Sequence, residues 1–201
     1  MIEKKIGIIT FHAADNFGSV LQAYALEKVL QSLEYEPEII NIIYAKDMEQ
    51  YKVFRTKIYK ERPKAILGDI LYLIRNIKRK QAFQRFRDMY LKISKKTYYA
   101  CGDDSQEMND CYDAFICGSD QIWNPDYNIP AFFLNFGRKD CRKIIYAASI
   151  GKGQLSCLEK KTYSKLLEFP DYISVREDSA QKLISSITEK NVELVLDPTL
   201  L

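Results

Sequence analysis

The segment Gly118-Ser-Asp-Gln-Ile-Trp-Asn-Pro125 gathers more ligand-binding chemistry into eight positions than any other part of the chain. Ser119, Asp120, Gln121 and Asn124 supply hydrogen-bond donors and acceptors. Trp123 adds a flat apolar surface on which a sugar ring or a base can lie, and Gly118 permits a tight turn. The same residues would also build an Asx-type turn anchored by a buried Trp.

Three other loops offer candidates. In His12-Ala-Ala-Asp-Asn-Phe-Gly-Ser19, Asn16 and Ser19 could bond an anion at a helix start, and Gly18 would let the backbone approach it. No G-x-G-x-x-G fingerprint accompanies them, and plain helix capping would use the same side chains. His12 is the only imidazole; it could serve as a general acid near neutral pH or simply bond backbone. In Ala147-Ala-Ser-Ile-Gly-Lys152 the candidates are Ser149 and Gly151, with Lys152 as an anion partner. In Ser174-Val-Arg-Glu177, Arg176 could clamp a phosphate or carboxylate with two parallel bonds, or pair with Glu177. There is no Ser-His-Asp set, Walker loop or kinase motif. Five Cys, an odd number without C-x-x-C, and a single His argue against a metal site. Cys117, inside an apolar run, reads as a small core residue.

These loops need a scaffold that brings them together. Short apolar, β-branched runs predict strands at 5–11, 38–43, 113–117, 143–148, 171–175 and 192–196. Helical patterns alternate with them: Leu26, Val29, Leu30 and Leu33 recur at helical spacing, and further helices are predicted near 156–168 and 177–187. Strand–helix alternation predicts an α/β fold with a Rossmann-like, doubly wound parallel sheet. In that class ligands sit beyond the carboxyl ends of the strands, where all four candidate loops fall.

Composition sets the limits. The chain has 201 residues, of which 47% are apolar, enough for one substantial core. A net charge of +3 is too small for a polybasic nucleic-acid binder. Apolar runs are too short to cross a bilayer, and the N-terminus lacks a signal-peptide pattern, so a cytoplasmic protein is expected. Residues 44–112 interrupt the alternation. Pro63 is expected to open a helix with Ile66, Leu67, Ile70, Leu71, Ile74 and Ile77 on one face, continued by Phe83, Phe86 and Tyr90. Between Arg55 and Lys96 basic residues far outnumber Glu61, Asp69 and Asp88. This arm at 55–96 could lean on an anionic membrane or an acidic polymer, or be a solvated helix face. Leu196-Asp-Pro-Thr-Leu-Leu201 reads as a strand end running into apolar residues, as if a further part of the protein followed.

Taken in order, five pieces of the chain resemble the polysaccharide pyruvyl transferase family. They are Ile6-Gly-Ile-Ile-Thr-Phe11 leading into Asn16-Phe-Gly-Ser-Val-Leu-Gln-Ala-Tyr-Ala-Leu26, then Gly118–Pro125, Tyr146-Ala-Ala-Ser-Ile-Gly151, Ser174–Glu177 and Asp197-Pro-Thr-Leu-Leu201. The resemblance implies a two-lobed, GT-B-like enzyme with its active site between Rossmann-like lobes. Residues 1–196 would form the N-terminal lobe, with 44–112 as a helical basic insertion, 197–201 as the start of a linker, and the C-terminal lobe absent. The implied reaction moves pyruvate from phosphoenolpyruvate to two hydroxyls of a sugar, as a ketal, with no cofactor. The acceptor would be a saccharide or lipid-linked saccharide of a cell-surface or exopolysaccharide precursor, met at the inner face of the membrane. On this analogy Asp120 is the hydroxyl-activating base. Asn16, Gly18 and Ser19 form an anion- or acceptor-facing nest, Trp123 a sugar platform, and Arg176 an anion partner across the cleft. Gly118, Ser119, Gln121, Asn124, Ser149 and Gly151 complete the substrate-binding set. With half the cleft missing, residues 1–201 alone are expected to be inactive. A GT-B-type glycosyltransferase using a nucleotide sugar and a non-catalytic glycan-binding lobe are the alternatives.

Overall fold

The structure is a computed structural model that describes residues 4–43, 70, 72–99, 108, 110–127, 129–137 and 140–201. The apolar runs expected as strands all enter one sheet. Its strands are β1 (Lys5–Ile9), β2 (Glu36–Ile43), β3 (Ile93–Tyr99), β4 (Ala114–Cys117), β5 (Arg142–Ala148), β6 (Tyr172–Val175) and β7 (Val192–Leu194). The order is β3-β2-β1-β4-β5-β6-β7, and every neighbouring pair is parallel. Strand order runs outward from β1 in one direction and from β4 in the other. The point between them is the topological switch of a doubly wound, Rossmann-like α/β sheet.

Period-two alternation divides the core. Ile6, Ile8, Ile39 and Ile116 pack with Ala23, Leu26 and Leu30 of α1 (Phe17–Ser32) on one face. Ile9, Ile40, Phe115, Cys117 and Ile145 join the other face. There they meet Tyr163 of α3 (Cys157–Leu166) and Ala180 and Ile184 of α4 (Asp178–Ser185). Such two-sided burial is why these strands read as continuous apolar runs. Asn16 caps α1 by accepting from the Ser19 N–H at 3.4 Å, and Ser156 and Glu159 close a capping box at the start of α3.

The 44–112 region differs from expectation in two ways. Residues 93–99 form β3, a strand rather than part of a helical arm, paired along β2 from Ile39 to Ile43. Its Ile-Ser-Lys-Lys-Thr-Tyr-Tyr sequence carries β-branched and aromatic residues, while exposed Lys95 and Lys96 suit the edge of a sheet. The helix that is described, α2 (Leu73–Tyr90), does not continue one apolar face. Phe83 is buried, whereas Ile74 and Ile77 are exposed, because six residues turn a helix by about 240°. The predicted helix start at Pro63, the residues Ile66, Leu67 and Leu71, and the basic positions Arg55, Lys57, Lys60, Arg62 and Lys64 lie outside the described residues. Among those that are described, no helix is long and apolar enough to cross a membrane.

Candidate active site at the switch point

The loops after β1, β4, β5 and β6 meet at one rim, held together by hydrogen bonds. Gly118 N donates to Ile9 O at 3.1 Å, Ser149 N to Asp120 O at 3.0 Å, Trp123 N to Ser149 O at 3.1 Å and Arg176 N to Ala148 O at 3.3 Å. Gly118 is obligatory at this convergence. Its φ is +137°, and a Cβ there would sit 1.9 Å from the Tyr146 carbonyl oxygen.

Two serine–carboxylate pairs dominate the rim. Ser19 Oγ, at the start of α1, donates to Asp120 Oδ2 at 2.6 Å, while Gln121 N donates to Asp120 Oδ1 at 2.8 Å. Asp120 sits in the left-handed region with φ 73°, a conformation that Asp tolerates better than most residues. Ser119 Oγ donates to Asp197 Oδ2 at 2.6 Å and accepts from Arg176 Nη1 at 3.2 Å. Arg176 Nη1 also reaches Asp197 Oδ2 at 2.8 Å, and its Nε reaches Glu177 Oε1 at 2.9 Å. Burial works against both charges. For Arg176 the bonds to Glu177 and Asp197 outweigh it and hold the guanidinium more firmly protonated than usual. Bonds from Ser119, Thr199 and Arg176 likewise outweigh burial at Asp197 and keep its carboxyl below the ordinary range.

Gln22 ties the two pairs together. It is buried on α1, where Nε2 donates to Thr10 Oγ1 and to Ser19 O, both at 2.8 Å, and Oε1 accepts from Ser119 N at 2.9 Å. Neither Gln22 nor Asp197 stands among the sequence candidates. A signal existed for each: Gln22 falls on the buried stripe of α1, where an amide must find partners. Asp197-Pro-Thr is an Asx-type turn, with Thr199 N donating to Asp197 Oδ1 at 3.0 Å.

The remaining candidates take supporting places. Asn16 is the α1 cap, beside Gly18. Gln121 and Asn124 bond one another, Asn124 Nδ2 to Gln121 Oε1 at 3.3 Å, and both lie against Gly151. Ser149 is buried and acts here through its backbone. Lys152 pairs with Asp126 at 2.7 Å. Gly151 has φ +66°, and a Cβ would fall 2.7 Å from the Gln121 side-chain amide. Gly151→Ala should therefore cost about 1–2 kcal/mol of stability from backbone conformation alone. Urea denaturation checks this, and an unchanged midpoint would show that the loop adapts freely.

Trp123 corrects the sequence reading. Its side chain is 0% exposed, stacked on Phe133 at a centroid distance of 5.1 Å, with Nε1 donating to Phe132 O at 3.3 Å. It cannot present a face to a sugar; it anchors the loop from beneath. His12 is not a general acid at the rim either. It is buried, with Nδ1 against Thr10 O at 3.2 Å and Nε2 against Asn41 Oδ1 at 3.3 Å. Burial pushes its pKa below the usual 6.5 and nearby Arg87 reinforces this. Folding therefore holds the neutral ring, and below about pH 6.5 the unfolded chain takes up the proton first. Stability should fall as pH drops below that point, by up to ~1.4 kcal/mol per pH unit from this residue. Denaturation at pH 7 and 5.5 tests it: His12→Gln should flatten the decline, and an identical slope in the variant would assign it to other groups.

Among the described residues, no group of three or more His, Cys, Asp or Glu is placed to hold a metal ion. A cavity of about 570 Å³ lies on the sheet face over β5–β7, between Tyr146, Tyr172, Ser174 and Lys190, and is lined by neither the two serine–carboxylate pairs nor Arg176.

The family model for polysaccharide pyruvyl transferase matches residues 16–201. The chain belongs to the polysaccharide pyruvyl transferase family. No curated protein and no solved structure matches it. The match to this transferase family takes in α1, the Gly118–Pro125 loop, the strand ends after β5 and β6, and Asp197. That family is one of transferases acting in polysaccharide synthesis.

Proposed function

We propose that the rim is the acceptor-binding half of an enzyme that moves pyruvate from phosphoenolpyruvate to a saccharide as a cyclic ketal. In that reaction C3 of the enol gains a proton, one sugar hydroxyl bonds to C2, and the C2–O bond to phosphate breaks with its electrons leaving on phosphate. A second hydroxyl of the same sugar then closes the ketal. Each hydroxyl gives up a proton; one balances that taken by C3 and the other leaves with phosphate or solvent.

The observation that carries the reading is the Asp120 carboxylate at the switch point. It is half-buried, fixed by Ser19 Oγ and Gln121 N on different oxygens, and each oxygen keeps lone-pair capacity for a substrate hydroxyl. That is the arrangement a general base for an attacking hydroxyl requires. Ser19 orients the base, while Ser119 is fully buried and holds Asp197 and Arg176 through its Oγ rather than meeting the sugar. Arg176 already faces two carboxylates, Glu177 and Asp197, so the donor's own negative charges are better met elsewhere. A second lobe across a GT-B-like cleft would supply that, with residues after 196 leading toward it. Residues 1–201 alone would then turn over little.

Incubating the full-length protein with phosphoenolpyruvate and candidate saccharides tests this. Acceptor-dependent phosphate release together with an acid-labile pyruvate ketal on the sugar is expected. Consumption of a nucleotide sugar instead would replace the reading with glycosyl transfer. Saccharide binding without either reaction would leave a glycan-binding lobe.

A further inference from the structure

We propose that the outward side of α2 docks the protein on an anionic lipid bilayer. The helix carries six basic residues, Arg75, Lys78, Arg79, Lys80, Arg85 and Arg87, against one acid, Asp88. Only Arg87 turns inward. The other five are exposed, and among the described residues no ion pair holds Lys78, Arg79, Lys80 or Arg85.

The apolar residues decide what such a helix meets. Ile74 is 71% exposed and Ile77 38%, and Met89 is also exposed at 71%. At 100° per residue, Ile74 and Ile77 lie about 60° apart, away from the side on which Phe83 and Arg87 are buried. Lys78 and Arg85 flank them on that outward side. Just before the helix, Ile70 and Tyr72 are 54% and 50% exposed. Isoleucines among lysines and arginines on a solvent-facing surface gain nothing from a phosphate polymer, which rewards charge alone. A bilayer surface rewards both, through headgroup charge and apolar burial at the acyl boundary. The charge sign selects anionic lipid.

The helix is also coupled to the rim. Arg87 Nη1 in its last turn pairs with Asp15 Oδ1 at 3.0 Å and lies 3.4 Å from Ala13 O. This fixes the loop that leads into Asn16 and Ser19. Ile74 stands roughly 20 Å along the axis from that tether. Docking would thus set the rim at a short, fixed distance from the lipid surface. On the function proposed above, that suits a lipid-linked saccharide acceptor.

The test is co-sedimentation of the full-length protein with vesicles of phosphatidylcholine alone or containing phosphatidylglycerol, which needs no turnover and so stands apart from the pyruvyl-transfer assay. Binding to the anionic vesicles only, strongly weakened by high salt, is expected. Lys78→Gln/Arg85→Gln should lower partitioning about fivefold per charge removed. Ile74→Asn/Ile77→Asn, which keeps every charge, should lower it at least as much. All four sites are exposed, and circular dichroism would verify the fold of each variant. Three results would overturn the proposal: no vesicle binding by the wild type, binding untouched by the isoleucine changes (a charge-only surface for an acidic polymer), or a dimer that Ile74→Asn/Ile77→Asn dissociates.

Discussion

Asp120→Asn in the full-length protein is expected to lower acceptor-dependent phosphate release from phosphoenolpyruvate by roughly 10²–10⁴-fold, the usual worth of a positioned general base. The substitution is close to isosteric. The amide oxygen can still accept from Ser19 Oγ or from Gln121 N, which now bond the two carboxylate oxygens at 2.6 and 2.8 Å. What disappears is the capacity to take a proton from a sugar hydroxyl. The loss should therefore fall on kcat, with KM for the donor little changed. Ser19→Ala makes a useful companion, since it removes the orienting bond and leaves the base; its loss should be smaller, about tenfold. A variant Asp120→Asn that releases phosphate at the wild-type rate would take the base role away from this residue.

The second large effect is on stability. Arg87→Met should cost about 3–5 kcal/mol, because it strips the partner from a carboxylate that cannot reach water. The Asp15 side chain is 3% exposed and that of Arg87 is 7%. The pair spans the loop after β1 and the last turn of α2, and Gln84 Oε1 accepts from Arg87 Nη2 at 3.1 Å. Removing both charges, as in Asp15→Leu/Arg87→Met, should restore most of the loss, since a buried pair is often worth little more than an apolar replacement. Chemical denaturation of the single and double variants measures the difference. A cost under about 1 kcal/mol for Arg87→Met, the range of a surface ion pair, would mean that water reaches Asp15.

The sheet could be read from the chain because its strands are buried on both faces, so that Ile6–Ile9, Ala114–Cys117 and Lys143–Ala148 stand out as apolar runs between helical patterns. Once those were in place, the parallel topology alone put the loops at 118–125, 149–151 and 176–177 on one edge. What escaped carries a weaker local signal or none. β3 hides because Lys95 and Lys96 interrupt its apolar character, and an edge strand tolerates that. Asp15 and Arg87 are 72 positions apart, and nothing local in either one announces the other. Gln22 reads as a gap in an amphipathic stripe, yet two of its three hydrogen bonds link α1 to the loop after β1 and to the β4 loop. Trp123 was conspicuous in type and ambiguous in direction: an indole serves equally as an exposed platform or a buried anchor, and Phe132 and Phe133, which settle the matter, sit in a separate turn.

Asp197 lies on the peptide leaving β7, yet its carboxylate closes onto the ends of two other strands through Ser119 and Arg176. That peptide is consequently a strut: tension on it displaces both side chains at once and, through Ser119 N, the Gln22 amide behind them. A shortened fragment cut before Asp197 would keep every strand, every α-helix and every large core residue while leaving Arg176 with half of its counter-charge. Thermal stability would then be a poor guide to whether the rim of such a fragment is intact.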